Sequence, residues 1–177
     1  MREVNNYKLH IGFLAAMPEE IGIAKKNLKK IRKYNYGDLE IYSGIWQKKD
    51  SDEEIMVSIA WSGWGKVSAA RATIRMISNQ LGKCIDYFIF TGVAGAVKEN
   101  LKPFDIVISD SVIHHDMDAR PLFNKYVIPS LNKVILEPDQ KIKKNIFNSL
   151  SDLKSRDLNN NFGNVYEGLI ASGDLFI

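Results

Sequence analysis

Two hydrophobic periods alternate along this chain, and the switches between them predict strands and helices in turn. Leu9 to Ala16 is apolar apart from His10. That run is too short for a buried helix and reads as a buried, parallel-type strand. Pro18 stops it and opens a helix over about 18–31, since a fixed φ and a missing N–H suit the first helical position. Leu39, Ile41, Ser43 and Ile45 alternate with Glu40, Tyr42, Gly44 and Trp46, a strand pattern. Tyr36-Gly37-Asp38 supplies the turn before it, so Lys33–Trp46 reads as a hairpin. Ile55–Trp61 is a further apolar strand, closed by Ser62-Gly63-Trp64-Gly65. A helix follows from Lys66 to about Leu81, with Val67, Ala70, Ile74 and Ile77 as its apolar face.

The second half repeats the theme. Asp86–Thr91 reads as a short buried strand running into Gly92-Val93-Ala94-Gly95, and Phe104–Ser109 as another. Ser111–Lys133 has no clean period, and loops of that length in compact domains usually serve function. Pro138 and Asp139 open a helix with Ile142, Ile146, Leu150 and Leu153 on one face, and Val165–Ala171 is the last strand. The pattern predicts one domain over residues 1–177, of α/β class, with a mixed, largely parallel central sheet flanked by helices.

Composition narrows the class. A hydrophobic content of 45% and a net charge of +3 describe an ordinary globular chain and give no argument for nucleic acid as a partner. The basic run Lys25–Lys33 reads as the solvated face of the first helix. Cys84 is the only cysteine, which excludes an internal disulfide and points to a reducing compartment, hence the cytoplasm. No apolar run is long enough to span a membrane. Residues 11–17 are too short for a signal-peptide core and run directly into Pro18-Glu19-Glu20.

Candidate chemistry gathers at strand ends. Glu19 and Glu20 fall in the first turn of a helix, just past the C-terminal end of a strand, where open α/β sheets place their ligands. Acids there also complement the helix dipole with no further role. Three loops, Met17–Glu20, Ser62–Lys66 and Thr91–Ala96, follow three strands. None is a phosphate loop: a P-loop needs glycine where Ala60 stands and Ser or Thr where Val67 stands, and Gly92 and Gly95 lack the third glycine of a dinucleotide fingerprint. His114-His115-Asp116-Met117-Asp118 has metal-ligand composition. Adjacent residues on extended backbone point to opposite faces, and no third ligand stands at helical spacing, so a hydrogen-bonded or interface role is expected there instead.

Five motifs then stand in one order: IGFLAAMPEEI at 11–21, SGWGKVSAA at 62–70, TGVAGAV at 91–97, FDIVISDSVIHHDMDA at 104–119 and ASGDLFI at 171–177. Together they resemble the bacterial 5′-methylthioadenosine/S-adenosylhomocysteine nucleosidases of the purine nucleoside phosphorylase-like superfamily, from about residue 8 to the last residue. The resemblance implies hydrolysis of the N-glycosidic bond of a small adenine nucleoside by a homodimer, with no metal or organic cofactor. It implies that Glu20 is the catalytic carboxylate that orients and deprotonates the attacking water. Val93, Ala94 and Gly95 would line the ribose, and Met17 and Trp64 the 5′-alkylthio group. Phe176 would stack on adenine and the Ile177 backbone would bond the base edge. Segment 112–129 would reach into the neighbouring subunit's pocket, with Phe123 and Pro129 as apolar contacts.

The resemblance has departures. Pro18 stands where many members carry another acid, and Val93 where some carry serine. Members also continue for several dozen residues past the SGDLFI motif. That part supplies a Met-Glu pair for the ribose hydroxyls, the aspartate that protonates the purine, a strand and a C-terminal helix. The expectation is therefore a C-terminally truncated nucleosidase whose fold lacks that strand and helix. Asp174 belongs to a matched motif of its own and does not take the acid role. The alternatives are a purine nucleoside phosphorylase, a non-catalytic adenosine-binding module or remnant, and a metal hydrolase built on His114–Asp118.

Overall fold

The computed structural model describes residues 7–47, 52–78, 84–157 and 161–175. The chain forms two compact units, Met1–Ala94 and Gly95–Ile177. The first contains β1 (His10–Ala15), α1 (Pro18–Lys25), β2 (Lys29–Tyr36), β3 (Leu39–Gln47), β4 (Glu54–Trp61), α2 (Lys66–Ile77) and β5 (Tyr87–Phe90). Its five strands are ordered β2-β3-β4-β1-β5. β1 lies parallel to both β4 and β5, while β2, β3 and β4 run antiparallel as a meander. Tyr36 pairs with Leu39 across the two-residue turn Gly37-Asp38, and Gly37 takes the positive φ (69°) that such a turn demands.

Both faces of this sheet are covered, which is why β1 reads as a continuous apolar run. On one face Leu14, Leu39, Ile41 and Ala60 pack with Ala72 and Met76 of α2. On the other Ala15, Val57 and Ile59 pack with Ile21 of α1 and with Leu28. A buried polar chain crosses the middle of the sheet. His10 Nε2 lies 2.7 Å from Ser58 Oγ, and Ser58 Oγ lies 2.6 Å from Ser43 Oγ.

The second unit contains β6 (Ile106–His114), β7 (Ile135–Leu136), α3 (Gln140–Ser155) and β8 (Val165–Ser172). Its sheet order is β7-β6-β8, with β6 parallel to β8 and antiparallel to β7. α3 starts where Pro138-Asp139 predicts, and the Asp139 side chain caps it by accepting from the Ile142 N–H over 2.8 Å. Both sheets are mixed and carry helices, in keeping with the α/β class that the sequence predicts, although the sequence pattern predicts a single sheet.

Three expectations change. α1 ends at Lys25 rather than near 31, and Lys29–Tyr36 forms a strand. The basic run Lys25–Lys33 therefore passes from a helix end into an edge strand, where lysines block pairing with other chains. A strand exposed along most of its length shows little apolar alternation, which hid it. α2 is the second change. Its buried residues are Ala72 and Met76, whereas Val67, Ile74 and Ile77 are 83%, 60% and 47% exposed and Ala70 is exposed too. Two apolar stripes run along this helix, and the one carrying Ala72 and Met76 faces its own sheet. Third, β6 continues past Asp110 to His114, because a register shift between Ser109 and Ser111 absorbs the polar residues as a bulge.

Candidate functional site

β4, β1 and β5 are parallel neighbours, so their C-terminal ends share one edge of the first sheet. Backbone bonds carry the pairing one step beyond the strands. Ser62 N–H donates to Ala15 O (2.8 Å), Gly63 N–H to Ala16 O (3.0 Å) and Thr91 N–H to Leu14 O (2.9 Å). The three loops singled out in the sequence are thereby held side by side.

Glu20 stands at the centre of this edge. Met17 is the extended N-cap residue of α1 and Pro18 follows it, which puts Glu20 at the third helical position. Its side chain folds back over the helix start, and Oε2 accepts from the N–H groups of Ala16 (2.8 Å) and Met17 (2.9 Å). This is the acid half of a capping box and satisfies donors that the helix leaves open. A capping role ends there, but the contacts do not. Oε1 accepts from the Val93 N–H over 3.0 Å, from the loop after β5. Gly92 makes that approach possible, since a Cβ on it would sit 2.7 Å from Oε1.

The carboxylate thus has one saturated oxygen and one with acceptor capacity left. Each oxygen offers about two lone-pair sites. Oε2 has two donors and Oε1 one, so Oε1 is the oxygen that can hold a further O–H. Glu19, its neighbour, is exposed on the helix surface.

The other sequence candidates divide three ways. Met17 and Val93 meet Glu20 directly through their backbone N–H groups, and Ala94 follows Val93 as an exposed residue. Trp64 is 66% exposed on the β4 loop, between Gly63 (φ 78°) and Gly65 (φ 93°), whose positive φ values turn the chain sharply. Gly95, Phe123 and Pro129 belong to the second unit, where Phe123 is 38% exposed and Pro129 is exposed. Phe176 and Ile177 lie outside the described residues. Sequence reasoning missed Gly92 and the Ala16 N–H as parts of this constellation. A glycine directly after a predicted strand was the available signal for Gly92, although that strand, β5, is half-exposed rather than buried as expected.

In the second unit the His114–Asp118 stretch turns inward on itself. Asp116 Oδ2 accepts the Asp174 N–H over 2.8 Å, and Asp116 Oδ1 lies 2.8 Å from His114 Nε2. Asp118 pairs instead with Arg120, whose Nε donates over 2.9 Å. That guanidinium draws the Asp118 carboxyl down to a pKa of about 2. Among the described residues, no group of three or more His, Cys, Asp or Glu side chains converges as a metal site.

Comparison with known proteins gives this geometry a family. A 5′-methylthioadenosine/S-adenosylhomocysteine nucleosidase of Staphylococcus aureus (strain JH9) is 33% identical over 168 residues, covering 94% of this chain and 66% of the relative. The chain therefore spans just under two thirds of that relative's length. Among solved structures, the enzyme of the same name from Colwellia psychrerythraea 34H, in complex with adenine, superposes with a TM-score of 0.75 at 29% identity. That match covers 95% of this chain and 63% of the other. The S-adenosylhomocysteine nucleosidase of Streptococcus pyogenes, in complex with 5-methylthiotubericidin, gives 0.77 at 27% identity, covering 95% and 64%. The model of the phosphorylase superfamily matches residues 10–177, and this chain belongs to that superfamily.

Proposed function

We propose that this chain hydrolyses the N-glycosidic bond of 5′-methylthioadenosine or S-adenosylhomocysteine, releasing adenine and a 5-thioribose product. The observation that carries the reading is the Glu20 carboxylate, fixed by three backbone N–H groups from two loops with Oε1 still able to accept. The relatives' names and their adenine-type ligands support the substrate class.

In this mechanism a water donates one O–H to Glu20 Oε1 and presents its oxygen to the anomeric carbon. As the C1′–N9 bond breaks, its electron pair leaves with the purine and the ribosyl group becomes cationic. Glu20 takes the water's proton, the hydroxyl oxygen bonds C1′, and the departing adenine takes up a proton from solvent. A carboxylate suits this step, because it holds the water and becomes a better stabiliser as positive charge develops. Its anchoring N–H groups keep it aimed without reorganisation at the moment of reaction. In the same reading Val93 and Ala94 line the ribose, and Met17 and Trp64 border the 5′-alkylthio group. A negative group at the position of Glu20 disfavours phosphate as the nucleophile.

The reading includes one nucleosidase domain, supported by the unbroken family match over both units. It also includes a homodimer. The exposed apolar stripe Val67–Ile74–Ile77 supports the association, and the exposed Phe123 and Pro129 suit contacts to a partner's pocket. A cytoplasmic setting rests on the single cysteine, and no helix among the described residues is long and apolar enough to cross a membrane.

The test is adenine release from 5′-methylthioadenosine by the purified chain in phosphate-free buffer. Release is expected without phosphate. Release only on adding phosphate would identify a phosphorylase, and adenine binding without release a binding module.

A further inference from the structure

We infer that Ser62 and Gly63 are positioning residues for Glu20, acting through the two peptide groups that hold its carboxylate. The inference rests on the nucleosidase reading above and deepens it, since it gives the loop after β4 a part in aiming the base.

Glu20 Oε2 accepts from the Ala16 N–H over 2.8 Å and from the Met17 N–H over 2.9 Å. Each of those N–H groups shares a rigid peptide plane with the carbonyl of the residue before it. Behind the Ala16 N–H is Ala15 O, which accepts the Ser62 N–H over 2.8 Å. Behind the Met17 N–H is Ala16 O, which accepts the Gly63 N–H over 3.0 Å. Both peptides that anchor Oε2 are therefore held at both ends, by the carboxylate on one side and by successive N–H groups of one loop on the other. The planes carry orientation from the loop to the carboxylate, and a bond to each carbonyl polarises the N–H at its other end.

Two features fix the loop itself. Ser62 is buried, and its hydroxyl donates to Gly63 O over 2.7 Å, with Ala15 O 3.4 Å away. A serine hydroxyl has one proton, and the shorter bond takes it. That side chain, folded back on its own backbone, sets the turn that presents the Ser62 and Gly63 N–H groups. Gly63 has a φ of 78°, and a Cβ built on it meets nothing within 4 Å. The backbone conformation, not the space, calls for glycine there. The Val93 N–H holds Oε1 from a different loop. Loosening the loop after β4 therefore lets the carboxylate turn about its contact with Val93, and the oxygen that holds the water loses its aim.

Adenine release from 5′-methylthioadenosine without phosphate, with kcat and KM resolved, tests this in two backgrounds. Ser62→Ala should lower kcat about tenfold, the effect of losing one neutral hydrogen bond, and leave KM within about twofold. In the Glu20→Gln chain the same substitution should change the residual release by less than about twofold, because the base it positions is already gone. A purely structural role would lower release by the same factor in both backgrounds, and equal losses would overturn the inference. Gly63 supplies a second test that does not depend on Ser62→Ala folding. Gly63→Asn, which tolerates a positive φ, should keep kcat within about threefold, whereas Gly63→Val should lower it about tenfold or more. An unchanged kcat in Gly63→Val would overturn the inference. So would a loss confined to KM, which would place the effect on Trp64 next in the chain. An unaltered chain that releases no adenine would overturn the nucleosidase reading, and this role with it.

Discussion

The Val93 N–H donates to Glu20 Oε1 over 3.0 Å across a separation of 73 residues. A helix cap needs only the N–H groups at its own start, and Glu20 already takes those of Ala16 and Met17 through Oε2. The third bond binds the loop after β5 to the loop after β1 through one carboxylate. It turns a common local motif into a carboxylate whose two oxygens differ in what they can still accept. In the proposed hydrolysis, that difference selects Oε1 as the oxygen that holds the water.

Gly92 tests this geometry without touching the carboxylate itself. In Gly92→Ala the new Cβ would lie 2.7 Å from Oε1, so the Glu20 side chain has to swing away. The moving group is the end of a flexible side chain, and the fold should survive with a loss of about 1–2 kcal/mol from the broken cap. kcat should fall roughly 100-fold or more, the usual consequence of misplacing a reacting group by about 1 Å. Steady-state kinetics with a thermal melt on the same sample check both halves.

The buried chain of His10, Ser58 and Ser43 serves stability instead. Ser58→Ala removes the hydroxyl that bonds both the His10 imidazole and the Ser43 Oγ. Buried polar atoms that lose a partner cost about 1–3 kcal/mol, and urea denaturation should show that loss. His10 opens β1 while Glu20 lies past its other end, so kcat should remain unchanged.

Association should run through α2. Ile74 is 60% exposed, and Ile74→Glu leaves the packing of Ala72 and Met76 intact. Monomer stability should change by no more than about 0.5 kcal/mol. A charge in an apolar interface should shift the sedimenting species from dimer to monomer. Unchanged sedimentation of a dimeric protein would move the interface elsewhere.

Asp118 and Arg120 give a pH signature in the long loop. The Asp118 carboxyl is lowered from 3.8 to about 2 by the adjacent guanidinium. A depressed carboxyl favours the paired, folded loop above the ordinary carboxyl pKa, and that preference is lost as pH falls through about 2. A carboxyl carbon titration should place the Asp118 midpoint near 2, and Arg120→Gln should return it toward 3.8. A midpoint near 3.8 in the unaltered chain would remove the ion pair from the account.

Much of this was legible in the sequence because local chemistry and tertiary packing agree. Pro18 marks the start of α1, Gly37-Asp38 the hairpin, and Asp139 the cap of α3. Elsewhere two readings fitted the same residues. α2 carries two apolar stripes, and periodicity does not say which meets the sheet. β2 is exposed along most of its length, so its strand character comes from pairing with β3, a long-range contact invisible in the basic run Lys29–Lys33. Glu20 was recognisable as an acid at a strand end, but its third bond joins residues far apart in the chain. The spacing of His114, His115 and Asp116 argued against a metal site and for a hydrogen-bonded role, and the bond from the Asp174 N–H to Asp116 Oδ2 gives Asp116 that role.

The central claim is that Glu20 activates water. The direct measurement compares adenine release from 5′-methylthioadenosine by the unaltered chain and by Glu20→Gln, without phosphate, with adenine affinity measured on both. Glutamine keeps the size of the side chain and removes the base. Release should fall by about 10²–10⁴-fold, the range for losing a general base, while adenine affinity stays within a few-fold. Release by Glu20→Gln at the rate of the unaltered chain would contradict the account.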